Sequence, residues 1–552
     1  MTATEWRKLT IQSMASTKTC EANIVRRSGN YNPTVWNSDY IESLESNYAG
    51  EVYKRRIQNM KGEVLMMLEK VEDPLTQLEH IDTFQRLGLF YHFKNKINNI
   101  LKGLYGNKIC CMDNTWKIDN LYATAVEFGL LRRHGYMISS GTLIYVLDET
   151  TGNFKACLCE DIEGLLALYE ASFHSKKGET ILEEARGFTV KHLEQFKQEH
   201  NKDQGNMILF ELVSHALELP LHRIMPRLET MWYIDLYGKR QDMNPTWLEL
   251  AKLDFNVVQS THLEDLKHSS RDRLVEVYLW AVGATSELEN GYSRRLLTRV
   301  GILLTVIDDI YDVYGTLDEL ELFGDAFERW DINAIDQLAD YMKTCFLATY
   351  NVVNEIIFDV LKEQGHLILK CLKKMAKWYY NGYTPTLQEY IENGWISITI
   401  AGLIVHVCFS VTNPITEEAI ECLMEYPNIV RHSSTIVRLV NDLGTSSTEL
   451  QRGDVPKSMQ CYMHETGASE EEARRHIEYL IEETWKQMNE DQVSRSPFSE
   501  AFIEICMNIP RAALSFYQHG DGFGVHSHRE TKDKIQSLLV NPIPLGTQNQ
   551  DD

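Results

Sequence analysis

Chain breakers are scarce in this sequence, and that restricts its fold more than any other property. Gly 31 and Pro 13 together make about 8% of 552 residues, against roughly 12% in average usage. Such a chain can sustain long helices but has few of the residues that turn strands back on themselves. Helical spacing recurs along its length. In Glu51–Val71 the apolar positions Val52, Ile57, Met60, Val64, Met67 and Leu68 fall near a 3.6 period. Leu78–Leu101, Tyr122–His134 and Gly164–Phe173 repeat the pattern, while the strand-like Thr142–Val146 is too short to build a sheet. The expected fold class is all-α, with two helical domains. The joint is expected at Leu217–Arg227, where Pro220 and Pro226 interrupt helix. That gives an N-terminal arm over 1–25, an N-terminal domain over 26–219 and a C-terminal domain over 220–552. The tail Asn541–Asp552, polar and with two prolines, is expected to fray.

Charge removes several function classes. Lys+Arg 55 against Asp+Glu 79 leaves a net charge of −24, which opposes nucleic-acid binding and a polybasic membrane-surface role. No apolar run near the ~18 residues of a membrane span stands out; Val405–Val411 is among the most apolar stretches and is too short. The scattered Cys 11 lack zinc-site spacing and read as small apolar residues in a reducing compartment. The first residues have no apolar signal core. They are rich in Ser and Thr but interrupted by Glu5 and Glu21, so the cytoplasm is expected, with a plastid as the alternative.

The chemistry concentrates in Leu303–Asp318, LLTVIDDIYDVYGTLD. An apolar run feeds into Asp308, Asp309 and Asp312, after which Gly315 permits a turn. On a helix Asp308 and Asp312 share a face, where like charges repel. Half-buried carboxylates in that arrangement call for a cation, and hard oxygen ligands suit Mg2+. An acidic, solvated helix end is the plain alternative. A second cluster weighs against it. In VRLVNDLGTSSTEL, Asn441, Thr445 and Glu449 lie at i, i+4 and i+8, one oxygen-bearing stripe over two turns. Arg438 is one turn before Asp442 and could reach an anion held by such a metal. The plain reading here is a helix end marked by Gly444. Arg271 and Arg273 flank Asp272 and could grip phosphate oxygens bidentately, or simply pair with surface acids. Two acidic faces and an arginine pair describe a site for a diphosphate bridged by metal.

These residues resemble the motifs of class I plant terpene synthases. Asp308-Asp309-Ile310-Tyr311-Asp312 is similar to the DDxxD motif, and Asn441 through Glu449 to the second metal motif, (N/D)Dxx(S/T)xxxE. Arg271-Asp272-Arg273 is similar to the upstream RxR, and Arg26-Arg27 with Trp36 to the RRx8W arm. The resemblance spans about Arg26 to Val540. It implies an N-terminal α-barrel relic without catalytic residues and a C-terminal helical bundle with both metal motifs at the mouth of an apolar pocket. No DxDD sequence occurs, so protonation-initiated chemistry is not expected.

The implied reaction is ionisation of a prenyl diphosphate. Three Mg2+ ions, with Mn2+ as a substitute, would be held by Asp308, Asp312, Asn441, Thr445 and Glu449. Asp309 would orient those ligands, and Arg271, Arg273 and Arg438 would meet the diphosphate together with Asp308, Asp312 and Asn441. Trp280 offers an aromatic wall to a carbocation. Tyr517 and Asp521, beside the lid-like Gly520–Gly524, are further catalytic candidates. Relative to the family, helical segments before Arg271 and before Ala376 are short. The implied substrate is farnesyl diphosphate, giving an acyclic or simple sesquiterpene. The alternatives are geranyl diphosphate, or a catalytically impaired relative that binds diphosphate only. A monomer with no membrane span and no nucleic-acid partner is expected.

Overall fold

The structure is a computed structural model, and it describes residues 36, 38–110, 120–148, 153–200, 207–267, 274–369, 385–452, 456–520 and 528–545. Among these residues there is no strand, only an isolated bridge between Leu147 and Phe154. The α-helices run α1 Ser38–Ser43, α2 Glu51–Glu69, α3 Pro74–Arg86, α4 Phe90–Cys110, α5 Leu121–Arg133, α6 Ile162–Ser172, α7 Thr180–Glu199, α8 Met207–Glu218, α9 Pro226–Gly238 and α10 Pro245–Lys267. They continue with α11 Leu274–Ala284, α12 Gly291–Asp309, α13 Leu317–Arg329, α14 Asp340–Gln364, α15 Leu387–Ser397, α16 Ile400–Val411, α17 Glu417–Met424 and α18 Asn428–Arg452. The last are α19 Ser458–Thr466, α20 Glu470–Val493, α21 Glu500–Tyr517 and α22 His528–Ile535. The all-α expectation holds.

Contacts divide the chain into two compact units. The N-terminal unit is Ser46–Ser260 with Lys486–Arg495 and the described part of Ser537–Asp552. The C-terminal unit is Thr261–Trp485 and Ser496–Gln536 with the described part of Met1–Glu45. Pro220 and Pro226 therefore lie inside the N-terminal unit. Pro226 opens α9 in its first turn, where its missing N–H costs nothing and its fixed φ suits the helix.

In the N-terminal unit, periodicity translated well into packing. Ile57, Met60, Val64 and Leu68 are buried on α2, but Val52, in the first turn, is 73% exposed. The expected helix over Leu78–Leu101 is two helices, parted at Gly88 with φ +71, a left-handed value that glycine adopts without strain. The strand-like Thr142–Val146 lies in a 3-10 helix, Ser140–Val146. Charged residues tie α3, α8 and α9 together: Arg86 Nε donates to Glu229 Oε1 at 2.8 Å, and His215 Nε2 lies 2.7 Å from Glu229 Oε2. The start of the tail is docked. Asn256 Nδ2 donates to the Ile543 carbonyl at 2.8 Å, and the Ile543 N–H returns to Asn256 Oδ1 at 2.7 Å. The expectation of fraying thus fails for 541–545, because a buried amide pairs both backbone groups of Ile543; 546–552 lie outside the described residues.

In the C-terminal unit, helices pack as a closed cycle: α11 on α12, α12 on α16, α16 on α18, α18 on α21, and α21 back on α11. Two stretches, Asp340–Gln364 and Leu387–Val411, are long and apolar enough by length and composition to cross a membrane, longer than the sequence reading counted. Both pack one apolar face into the C-terminal unit. The second is broken at Thr399, with φ +65, and α16 buries eight of its twelve residues. α14 is amphipathic, burying Tyr341, Cys345, Phe346, Val353, Ile356 and Val360, while on its exposed face Glu355 pairs with Arg299 of α12 and Lys343 with Asp340.

Candidate active site

The aspartates stand where α12 ends. Leu303, Leu304, Ile307 and Ile310 are buried and anchor the last turns, so the intervening Asp308 and Asp309 come out half-buried. From Ile310 to Tyr314 the helix widens into a π-turn, a feature that recurs at functional sites and that periodicity did not signal. Gly315 closes this turn by donating its N–H to the Ile310 carbonyl at 2.7 Å. A Cβ at Gly315 would stand 2.5 Å from Leu320 Cδ2 and 2.8 Å from the Ile310 oxygen, so only glycine fits. The following helix is capped immediately: Glu319 accepts from the Thr316 N–H at 3.0 Å and from the Tyr341 hydroxyl at 3.0 Å. Burial pushes the Tyr311 phenol up to about 12. Asp312 lies in the π-turn, and its side chain is outside the described residues.

The second cluster is inside a helix, not at its end. Helix α18 continues to Arg452, so Gly444 is no cap. Its missing Cβ serves a close approach instead, since one built there would lie 3.0 Å from Tyr517 Cβ and 3.1 Å from the Gly520 carbonyl oxygen. Thr445 is buried and donates to the Asn441 carbonyl at 2.9 Å. The Glu449 position follows on the same helix, with its side chain outside the described residues.

Arg438 is held within its own turn. Its Nε donates to Asp442 Oδ1 at 2.8 Å, and its Nη2 donates to Asn441 Oδ1. The Asp442 side chain is fully buried and accepts from the Tyr390 hydroxyl at 2.9 Å. Sequence reasoning missed Tyr390, because nothing in LQEYIENGW announces a partner on another helix.

The aromatic candidates converge. The Trp280 ring lies 5.0 Å from Phe516 in an edge-to-face pair and 6.3 Å from Tyr517, a normal aromatic packing range. Both Trp280 and Tyr517 remain partly accessible. Through Gly444, Tyr517 adjoins the helix that carries Asn441 and Thr445. Helices α12 and α18 both pack on α16, which sets the two oxygen clusters on neighbours of one helix. Arg271, Arg273, Asp521, Arg26 and Arg27 lie outside the described residues, as does the expected short segment before Ala376; of the one before Arg271, 263–267 close α10 and the rest lies outside them.

The donor set decides what this site could hold. Among the described residues no group of three or more His, Cys, Asp or Glu side chains forms a metal cluster. The candidate ligands themselves offer carboxylate, amide and hydroxyl oxygen. That chemistry fits Mg2+, which keeps water and shares anionic oxygens with a phosphate.

Comparison with known proteins agrees with this geometry. Residues 259–487 match "Terpene synthase family, metal binding domain", and residues 35–217 match "Terpene synthase, N-terminal domain". The chain belongs to the terpene synthase family. The chloroplastic myrcene synthase of Quercus ilex is 55% identical over 97% of this chain and 93% of its own. The (-)-alpha-terpineol synthase of Vitis vinifera is 55% identical over 95% of this chain and 92% of its own. Among solved structures, limonene synthase with 2-fluorolinalyl diphosphate has a TM-score of 0.89 at 41% identity, covering 94% of this chain and all of that one. Isoprene synthase from grey poplar, in complex with three Mg2+ ions and dimethylallyl-S-thiolodiphosphate, has a TM-score of 0.79 at 39% identity over 93% of this chain and 99% of that one. Both oxygen clusters of this family member fall inside the matched metal-binding domain.

Proposed function

We propose that this chain is a Mg2+-dependent terpene synthase that ionises geranyl diphosphate and releases a simple ten-carbon terpene and diphosphate. The observation that carries the reading is the pair of hard-oxygen clusters, Asp308 with Asp309 and Asn441 with Thr445, on two helices that flank α16. The farnesyl diphosphate expectation loses its support. It rested on the N-terminal sequence, which says nothing of pocket volume, whereas the relatives at 55% identity are named for the ten-carbon products myrcene and α-terpineol. The word "chloroplastic" in the Quercus ilex name likewise favours a plastid over the cytoplasm.

Ionisation breaks the allylic C–O bond, and both electrons of the bond leave with the diphosphate oxygen. When bound, three Mg2+ ions, the number in the grey poplar isoprene synthase complex, would supply Lewis-acid stabilisation of that charge. Asp308, Asp312, Asn441, Thr445 and Glu449 would hold them, and Asp309 would orient those ligands. Arg271, Arg273 and Arg438 would present fixed N–H donors to the same oxygens, worth most in a site that excludes water. The carbocation left behind needs faces without nucleophiles, and the Trp280 indole next to Tyr517 supplies such a surface. Asp521 follows Tyr517 by four residues and is a further catalytic candidate. In this reading the C-terminal unit, Thr261–Trp485 with Ser496–Gln536, is the catalytic domain, the N-terminal unit carries no catalytic residue, and the chain acts as a monomer.

The test is incubation of the purified chain with Mg2+ and either geranyl or farnesyl diphosphate, with products resolved by gas chromatography. A ten-carbon product is expected, with kcat/KM at least about tenfold higher for geranyl diphosphate. Preference for farnesyl diphosphate would reverse the substrate assignment. Metal-dependent diphosphate binding without any volatile product would replace this reading with that of a binding-only relative.

A further inference from the structure

Asp442 belongs to the second motif yet stands outside the three positions assigned to metal. Its carboxylate is fully buried, and a buried charge persists only where several donors replace its water. Those donors come from three helices. Oδ1 takes the Arg438 Nε at 2.8 Å, with an ion-pair contact of 2.5 Å to Nη2. Oδ2 takes the Tyr390 hydroxyl of α15 at 2.9 Å and the Ser458 N–H at the start of α19 at 3.3 Å. α15 also shapes the path of the arginine, because a Cβ at Gly394 would lie 3.2 Å from Arg438 Cγ. From this fixed base, Arg438 Nη2 donates to Asn441 Oδ1. The contact identifies which end of the amide is oxygen and fixes its rotamer.

We propose that Asp442 and Tyr390 are positioning residues for diphosphate recognition, acting through Arg438 and, by way of it, on the amide oxygen of Asn441. The role rests on the function proposed above and adds to it two residues that would touch neither substrate nor metal. Asp442 grips the Nε edge of the guanidinium, so its plane is set before any anion arrives. Only the Nη groups then need to exchange partners, from the Asn441 oxygen to a diphosphate oxygen, while Asn441 turns its oxygen to a cation. A planar donor held along one edge loses little freedom in that exchange. Tyr390 keeps the carboxylate in register across the helix boundary.

Calorimetric titration of the full chain with inorganic diphosphate in the presence of Mg2+ tests this directly. Asp442→Asn is expected to weaken binding about tenfold or more, and Tyr390→Phe about threefold. KM should rise, and kcat should fall further in the Asp442 variant. Because Asp442→Asn alters a buried hub and could unfold the chain, the decisive comparison is a cycle of Tyr390→Phe with Arg438→Gln. If Tyr390 acts through Arg438, the double variant binds diphosphate no more weakly than Arg438→Gln alone. Additive losses, or unchanged binding in Tyr390→Phe, would overturn the positioning role while leaving the synthase reading intact. A wild-type chain that does not bind diphosphate with Mg2+ would remove both.

Discussion

Gly444 and Tyr517 meet so closely that a side chain at the glycine would have its Cβ 3.0 Å from that of the tyrosine. The contact joins the helix of the second oxygen cluster to the helix that ends beside Trp280. It is where the second oxygen cluster meets the Trp280–Tyr517 aromatic pair. Gly444→Ala should therefore cost about 1–3 kcal/mol through overpacking, seen as a lowered Tm. It should also lower kcat by more than the stability loss explains, because Tyr517 must move away from Asn441 and Thr445. Wild-type turnover in a folded Gly444→Ala chain would separate Tyr517 from the reaction.

Asp308 tests the first cluster without disturbing the core. It lies half-buried beyond the anchoring residues Leu303, Leu304 and Ile307. Asp308→Ala should lower turnover about a thousandfold with an unchanged far-ultraviolet dichroism spectrum. Retained activity would take the aspartates out of the mechanism.

Gly315 tests whether the π-turn matters. In Gly315→Ala the new methyl would meet Leu320 Cδ2 at 2.5 Å and the Ile310 oxygen at 2.8 Å, so the turn must reopen. We expect the Mg2+ concentration for half-maximal activity to rise about tenfold or more, since the turn carries Asp312. Thermal unfolding should show a loss of about 1–3 kcal/mol. An unchanged metal dependence would mean that the widened turn has no part in ligand placement.

His406 sets a pH limit on the C-terminal unit. It is buried on α16, the helix that both α12 and α18 pack against, with Nδ1 2.7 Å from the Gly402 carbonyl. Burial pulls its pKa down from 6.5 to about 4. The unfolded chain therefore binds a proton that the folded chain refuses. The stabilisation is full above pH 6.5 and is lost as pH falls toward 4, by about 3 kcal/mol in total. His406→Gln should flatten the fall of Tm between pH 6.5 and 4; an equally steep fall in the variant would place the acid sensitivity elsewhere.

Helical periodicity, the two oxygen motifs and the run of apolar residues leading to Asp308 were all legible in the sequence. These are local properties: a 3.6-residue repeat and an i, i+4 spacing place side chains on a face whatever surrounds the helix. Even the pairing of Arg438 with its own turn was within reach, since Asp442 follows it by four residues. The closing of Tyr390 and Ser458 over the same carboxylate was not, because both come from other helices.

What only the tertiary structure decided follows the same rule. Glycine reads as a helix terminator in a sequence, yet Gly444 sits mid-helix because Tyr517 needs the space. The π-turn at Ile310–Tyr314 depends on Gly315 closing against Leu320, a contact that no residue spacing encodes. The tail was expected to fray on composition, and Asn256, nearly three hundred residues earlier in the chain, holds its start in place. The sequence by itself determined an all-α chain and the residue types available to bind a metal diphosphate. Which of those residues touch one another depends on contacts between helices, and those are set by the shapes that distant segments leave for one another.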